Sequence, residues 1–185
     1  MTRIVGGVAK GRRLAVPPRG TRPTSDRARE ALFNSLAGLL DIGGARALDL
    51  FAGTGALGLE ALSRGAAAAS FVESDRAACE ILRRNVETVG LPGAEIHRRP
   101  AVAHLLGASA DEPFDLVFAD PPYAFDEHQL GVLLTALASP LWLADGAIVV
   151  VERSARVGGP KWPEPIEAIK HKRYGAGVLW YGRRR

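Results

Sequence analysis

The 185 residues, 47% hydrophobic and 24% charged, have the balance of one globular domain and not of a disordered chain. The longest apolar runs, such as Ala147 to Val151, are far too short to span a bilayer, and the opening Met1-Thr2-Arg3-Ile4-Val5-Gly6-Gly7 has no apolar signal core. Cys79 is the single cysteine, which excludes an intrachain disulfide and a thiolate metal cluster, so we expect a cytoplasmic protein without membrane contact.

The net charge of +4 is unevenly placed. Residues 1–30 hold eight basic and two acidic residues, residues 164–185 six and two, and residues 31–163 ten and sixteen. An acidic body with a basic arm and tail suits a polyanion held at one face and a different kind of site in the body. Lys10, Arg12, Arg13, Arg19 and Arg22 are the arm cations we expect to meet nucleic acid; the plainer reading is a solvated, arginine-rich surface.

In chain order, residues 1–22 form a basic arm, with a short hairpin over Arg3 to Val16, ahead of a domain spanning 23–185. Pro17-Pro18-Arg19-Gly20 is a turn. Thr24 is placed to cap a helix, with Asp26 in its first turn and Ala28, Leu32, Leu36 and Leu39 at helical spacing, until Gly43-Gly44. Ala47 to Phe51 is a buried-strand run, followed by a helix from Ala56 to Arg64 that Gly65 stops. Ala69 to Glu73 is a second strand, and Asp75 caps a helix through Val89 that Gly90 stops. Glu95 to His97 and Phe114 to Ala119 are the third and fourth strands. A helix over Glu127 to Leu137 and a fifth strand over Ala147 to Val151 follow. Ile166 to His171 and Val178 to Tyr181, parted by Tyr174-Gly175-Ala176-Gly177, form a closing hairpin. This alternation predicts an α/β, Rossmann-like, doubly wound and mostly parallel sheet with a C-terminal antiparallel hairpin. Ligands of such folds bind past the carboxyl ends of the strands.

The loop after the first of these strands reads Asp49-Leu50-Phe51-Ala52-Gly53-Thr54-Gly55-Ala56-Leu57-Gly58. Gly53, Gly55 and Gly58 satisfy G-x-G-x-x-G, and Glu73 lies at the end of the second strand, where a carboxylate accepts ribose hydroxyls. A dinucleotide and S-adenosylmethionine share this geometry. Asp49 favours the second, because a carboxylate attracts a sulfonium and an ammonium but repels a pyrophosphate. A dehydrogenase would also need a substrate domain for which little chain remains.

Asp120-Pro121-Pro122-Tyr123 follows the fourth strand. Two prolines cannot continue a strand, so the backbone leaves the sheet rigidly with its carbonyls aimed outward. The lone pair of a base's exocyclic amine is delocalised into the ring. The Asp120 carboxylate and the Pro121 carbonyl can accept both its N–H bonds, which favours a pyramidal nitrogen with its lone pair free, while Tyr123 stacks on the base. Either motif alone could be an ordinary turn.

The paired motifs Leu48 to Gly55 and Asp120 to Tyr123 resemble class I amino-methyltransferases. The arm, through Arg3-Ile4-Val5-Gly6-Gly7, Arg12-Arg13-Leu14 and Arg22-Pro23-Thr24-Ser25-Asp26-Arg27-Ala28-Arg29-Glu30-Ala31-Leu32-Phe33-Asn34, is similar to that of bacterial methyltransferases acting on guanine N2 of small-subunit ribosomal RNA. Ala56 to Gly65 matches as well. The resemblance implies S-adenosylmethionine as cofactor, bound by Thr24 near its carboxylate, Asp49 at its methionyl end, Phe51, Gly53 and Gly55 along the loop, and Glu73 at its ribose. It implies 16S ribosomal RNA or the small subunit as substrate and Asp120, Pro121, Pro122 and Tyr123 as the residues holding the guanine. Where many relatives carry Asp or Asn after the third strand, this chain has Arg98-Arg99-Pro100-Ala101, so an adenine contact there would fall to the backbone. We expect a monomer that uses no metal.

Cys79, in mid-helix, reads as a small buried residue and not as the nucleophile of a cytosine methyltransferase. His97, His104, His128 and His171 lack metal-ligand spacing, and Trp142, Trp162 and Trp180 read as packing. Arg183-Arg184-Arg185 could touch RNA or fray. The rival functions are an amino-methyltransferase acting on adenine or cytosine of DNA or on a protein glutamine, and a non-catalytic nucleic-acid-binding protein on the same fold.

Overall fold

A computed structural model describes residues 2–18 and 25–185. Thr24, Arg19 and Arg22, named above as cofactor and RNA contacts, lie outside the described residues.

The chain opens with two short antiparallel strands, β1 (Thr2–Arg3) and β2 (Arg13–Leu14), in the register Thr2 to Leu14. Helix α1 (Asp26–Ala37) starts at an N-cap that is Ser25 and not Thr24: the Ser25 hydroxyl accepts from the Ala28 N–H at 3.1 Å. Then come β3 (Arg46–Asp49), α2 (Ala56–Ser63), β4 (Ala68–Val72), α3 (Arg76–Val89), β5 (Ala94–His97), α4 (Ala101–Gly107), β6 (Phe114–Ala119), α5 (Glu127–Leu137), β7 (Leu143–Ser154), β8 (Ile166–Tyr174) and β9 (Gly177–Arg184). The sequence periodicity did not signal α4. It is only seven residues long, too short for a repeating apolar stripe, and sinks Ala101, His104 and Leu105.

The seven-stranded sheet has the order β5-β4-β3-β6-β7-β9-β8. β3 to β7 are mutually parallel, and β9 pairs antiparallel with both β7 and β8. Successive strand residues point to opposite faces, so each strand feeds two cores. Ala47, Phe71, Phe118, Ile148 and Val150 pack on one face with Leu32, Phe33 and Leu36 of α1, Leu59 and Leu62 of α2, and Leu82 and Val89 of α3. Leu48, Val72, Val117, Val149 and Val151 pack on the other with Leu105 of α4 and Leu130, Leu133, Leu134 and Leu137 of α5. No helix among the described residues is long and apolar enough to cross a membrane.

The path of the chain reverses at β3. β4 and β5 extend to one side of it and β6 and β7 to the other, so β3 and β6 are neighbours whose following loops run apart. Such a switch point opens a crevice past the strand ends.

Candidate active site

The glycine loop leaves β3 at that crevice. Leu50 still donates to the Phe118 carbonyl of β6 at 3.0 Å, and Ala52 to the Val72 carbonyl of β4 at 3.0 Å, so the loop is pinned to both neighbours before it turns. Gly53 and Gly55 both adopt positive φ, 54° and 83°, which side-chain-bearing residues rarely do. A Cβ at Gly53 would meet nothing within 4 Å, whereas one at Gly55 would strike Leu82 Cδ1 at 2.3 Å. Gly53 thus faces open space, while Gly55 is required by the packing beneath it and any ligand contact there runs through its backbone.

Glu73, just past β4, braces this loop. Its Oε2 accepts the Gly53 N–H at 2.8 Å and its Oε1 the Asp75 N–H at 2.8 Å. Each carboxylate oxygen can accept again, so ribose hydroxyls are not excluded. Nothing in the residue spacing announced the bracing bond.

Asp49 ends β3 on the α1 face and is 2% exposed. Its Oδ2 accepts the Gly58 N–H at a long 3.3 Å. Burial, with a smaller push from the Glu73 charge, raises its pKa to about 7. Asp120 follows β6 and keeps exposed surface at the rim of the site. The carboxyl is nevertheless crowded by protein atoms, and with the charges of Glu152 and Asp49 beside it, its pKa lies well above the carboxylate range. Glu152 was not singled out from the sequence. Ala119 pairs with Val151 in the parallel register, so Asp120 and Glu152 are the next residues along adjacent strands. The available signal was a carboxylate one residue beyond the apolar run Ala147 to Val151. By strand alternation Asp49, Asp120 and Glu152 all project to the α1 face, past three adjacent strands. Three acids this close cannot all ionise cheaply unless a cation joins them.

The motif after β6 is a turn closed by the Phe125 N–H, which donates to the Pro122 carbonyl at 2.9 Å. The Pro121 carbonyl accepts no hydrogen bond from a described residue. Tyr123 is 92% exposed, a free aromatic face at the rim. The Phe51 ring packs edge-on against Phe125, centroids 5.2 Å apart, tying the first loop to the second on the α5 side. Hollows of about 170 Å³ beside α5 and about 420 Å³ between β1 and α1 are lined by none of these groups.

Residues 2–18 are held to the sheet and helices by buried polar groups and by Ile4, Ala9 and Leu14 in the core. Glu60 of α2, fully buried, accepts the Val5 and Gly6 N–H at 3.0 and 2.8 Å and pairs with Arg29 at 3.3 Å and Arg64 at 2.9 Å. Arg29, counted above with the basic arm, is itself fully buried and donates to the Arg3 carbonyl, Asp26 and Thr2. Arg12 donates to the Val89 carbonyl at the C-terminus of α3, where the helix dipole favours a cation. Lys10 and Arg13 are exposed, with no ion pair to a described residue. Cys79 is buried with its thiol on the Glu73 carbonyl, and Trp142 is buried with its indole N–H on the Leu105 carbonyl. The tail arginines are engaged: Arg183 with the Leu39 carbonyl, Arg184 with Leu143 and Asp145, Arg185 with Glu167.

A parallel sheet with a topological switch, a glycine loop after its first central strand and Asp-Pro-Pro-Tyr after the neighbouring one define a class I methyltransferase fold. The family model described as "Conserved hypothetical protein 95" matches residues 2–183. Ribosomal RNA small subunit methyltransferase D of Escherichia coli (strain K12) is 44% identical over 180 residues, 97% of this chain and 87% of its own length. YlbH of Bacillus subtilis (strain 168) is 37% identical over 186 residues, 98% of this chain and 99% of its own. Among solved structures, yhhF from Escherichia coli superimposes with a TM-score of 0.85 at 38% identity, covering 99% of this chain and 97% of its own. The chain belongs to the conserved hypothetical protein 95 family, that of ribosomal RNA small subunit methyltransferase D.

Proposed function

We propose that this protein is an S-adenosylmethionine-dependent methyltransferase acting on the exocyclic N2 amine of a guanine in 16S ribosomal RNA, the 966 position by the family resemblance of its motifs. One observation carries the reading: the Asp120 to Tyr123 turn and the glycine loop leave adjacent strands at the same switch point. The names of the relatives support ribosomal RNA as substrate.

The residues fit the cofactor. Gly53 offers open space, Glu73 an acceptor for ribose hydroxyls, and buried Asp49 a carboxylate for a cationic group. When bound, S-adenosylmethionine supplies an electrophilic methyl group. The chain's own work is orientation and proton handling. The Asp120 carboxylate and the Pro121 carbonyl accept the two N–H bonds of the amine, which frees its lone pair. Tyr123 stacks on the base and holds it in line. The methylated amine must lose a proton; Asp120 accepts its N–H bonds as the carboxylate and would then take that proton, a transfer that surroundings favouring the protonated acid assist.

The test is incubation with labelled S-adenosylmethionine and small subunits lacking the modification, then mapping of the methyl group. Label at a guanine N2 supports the reading. Label at adenine, at cytosine or on protein replaces the substrate, and absence of both cofactor binding and label sinks it.

A further inference from the structure

The edge strand β8 is exposed from Glu167 through Arg173, and it carries Lys170 and Lys172 on one face. Neither lysine has an ion pair to a described residue, unlike Arg184 and Arg185 of the tail. Each ammonium is instead held over an aromatic ring: Lys170 Nζ lies 5.0 Å from the centroid of Tyr181 and Lys172 Nζ 5.4 Å from that of Tyr174. A cation so placed keeps its charge and its outward donors while losing side-chain freedom.

The register relates these lysines to the acids of the site. Lys172 pairs with Leu179, Leu179 with Glu152, and Glu152 stands beside Asp120 on the neighbouring parallel strand. Paired residues share a face, so Asp120, Glu152, Leu179 and Lys172 form one cross-strand row on the α1 face, and Lys170 with Tyr181 forms the next. Three strand spacings separate Asp120 from Lys172, about 14 Å. Along that row the charge runs from acid to apolar to base. A nucleic acid with its base at Asp120 cannot lay phosphates over Asp120 and Glu152, which repel them, and beyond Leu179 the row offers Lys172, with Lys170 in the next.

We propose that Lys170 and Lys172 form a second backbone-binding site, receiving phosphates of the RNA that flanks the nucleotide held at Asp120 to Tyr123. The proposal rests on the RNA-methyltransferase reading. Edge-strand lysines also guard against strand-to-strand association, and that role alone would leave RNA binding unchanged.

The experiment uses the full chain carrying Lys170→Ala and Lys172→Ala together, with protein-free 16S ribosomal RNA and the small subunit as probes over a range of salt. We expect the slope of log affinity against log salt to become shallower by about 0.7–0.9 for each phosphate that is no longer neutralised. S-adenosylmethionine affinity and the rate at saturating RNA should hold while KM rises, and Lys170→Arg with Lys172→Arg should restore the slope. An unchanged slope in the alanine variant overturns the site, as does a variant that self-associates with RNA binding intact. Loss confined to the assembled subunit overturns it in favour of an acidic protein partner. If the unsubstituted protein binds neither RNA probe, the RNA reading falls and this site falls with it.

Discussion

The side-chain amide of Asn85 in α3 donates to the Thr54 carbonyl of the glycine loop at 2.8 Å. The same amide donates to the Ala15 carbonyl at 3.0 Å, and its oxygen accepts the Ala15 N–H at 2.7 Å. One buried residue therefore fastens the end of the arm to the loop expected to hold the cofactor. The two Ala15 groups, one an obligate donor and one an obligate acceptor, fix which way the amide points. Asn85→Ala leaves buried backbone groups unpaired and should cost about 2–4 kcal/mol of stability in denaturant titrations. Asn85→Asp, which accepts but cannot donate, should be at least as harmful and should weaken S-adenosylmethionine binding. If either variant matches the original in both measurements, the amide is not a fastening.

Asp49 ties stability to pH. Its pKa in the fold is about 7, above the ordinary carboxylate value of 3.8. A raised carboxylate favours the fold where both states are protonated. That stability drains away as pH climbs from about 4 through about 7, by at most about 4 kcal/mol. Asp49→Asn should flatten this decline and melt higher than the original at pH about 8 in the absence of ligand. The same change should weaken S-adenosylmethionine binding, since the neutral amide attracts no sulfonium. In the original protein the affinity should rise with pH through about 7, with proton release in calorimetry. A wild-type melting profile flat over that range would remove Asp49 from this role.

Much of this site was legible because it is written in glycines, prolines and acids at strand ends. Gly53, Gly55, Glu73 and the Asp120 to Tyr123 turn stand next to each other in the fold because β3, β4 and β6 are neighbours; strand–helix alternation implies a parallel sheet with ligands past its strand ends, but the strand order comes from the structure. Glu152, Asn85 and Glu60 were illegible for the opposite reason. Each is an ordinary polar residue in a strand or helix, and its importance comes from a partner between one strand and the whole arm away. Arg29 counts among the basic residues of 1–30, and local charge counting cannot see that it is buried and paired with Glu60 and Asp26.

The bracing bond from Gly53 sharpens what Glu73 should do. Glu73→Ala removes the proposed ribose acceptor and also frees the Gly53 N–H, so S-adenosylmethionine binding should fall by about 2–4 kcal/mol. Glu73→Gln keeps one acceptor oxygen and should lose less. Calorimetry on both variants, with circular dichroism to confirm folding, measures it; equal affinity for the original and the alanine variant removes Glu73 from the cofactor site.

Asp120 and Tyr123 separate binding from turnover. Asp120→Ala should leave S-adenosylmethionine affinity within a few-fold, because Gly53, Glu73 and Asp49 are untouched. Single-turnover methyl transfer should slow by roughly two orders of magnitude or more, the scale of losing one transition-state hydrogen-bonding group. Tyr123→Ala should raise KM for RNA through weaker stacking, and Tyr123→Phe should be mild. Transfer at the original rate in Asp120→Ala would make it a turn residue.

The arm offers fewer free cations than its composition suggests. Arg3 faces Asp26 at 3.6 Å and Arg12 donates to the Val89 carbonyl, so of the described cations in residues 1–22 Lys10 and Arg13 are the exposed ones with no ion pair or side-chain hydrogen bond to a described residue. Arg12→Ala would therefore mix a packing defect at the end of α3 with the removal of a charge, and Lys10→Ala with Arg13→Ala is the cleaner pair. The double variant should keep its melting temperature and its S-adenosylmethionine affinity, since neither side chain supports the Glu60 or Asn85 contacts. RNA binding should weaken uniformly across sequences, with a salt slope shallower by about 0.7–0.9 for each phosphate that these cations had neutralised. At saturating RNA the rate should recover, because the proposed base contacts, Asp120 and Tyr123, are untouched. A salt slope that stays put would mean that Lys10 and Arg13 are solvated and that phosphate binding falls to other cations of the chain.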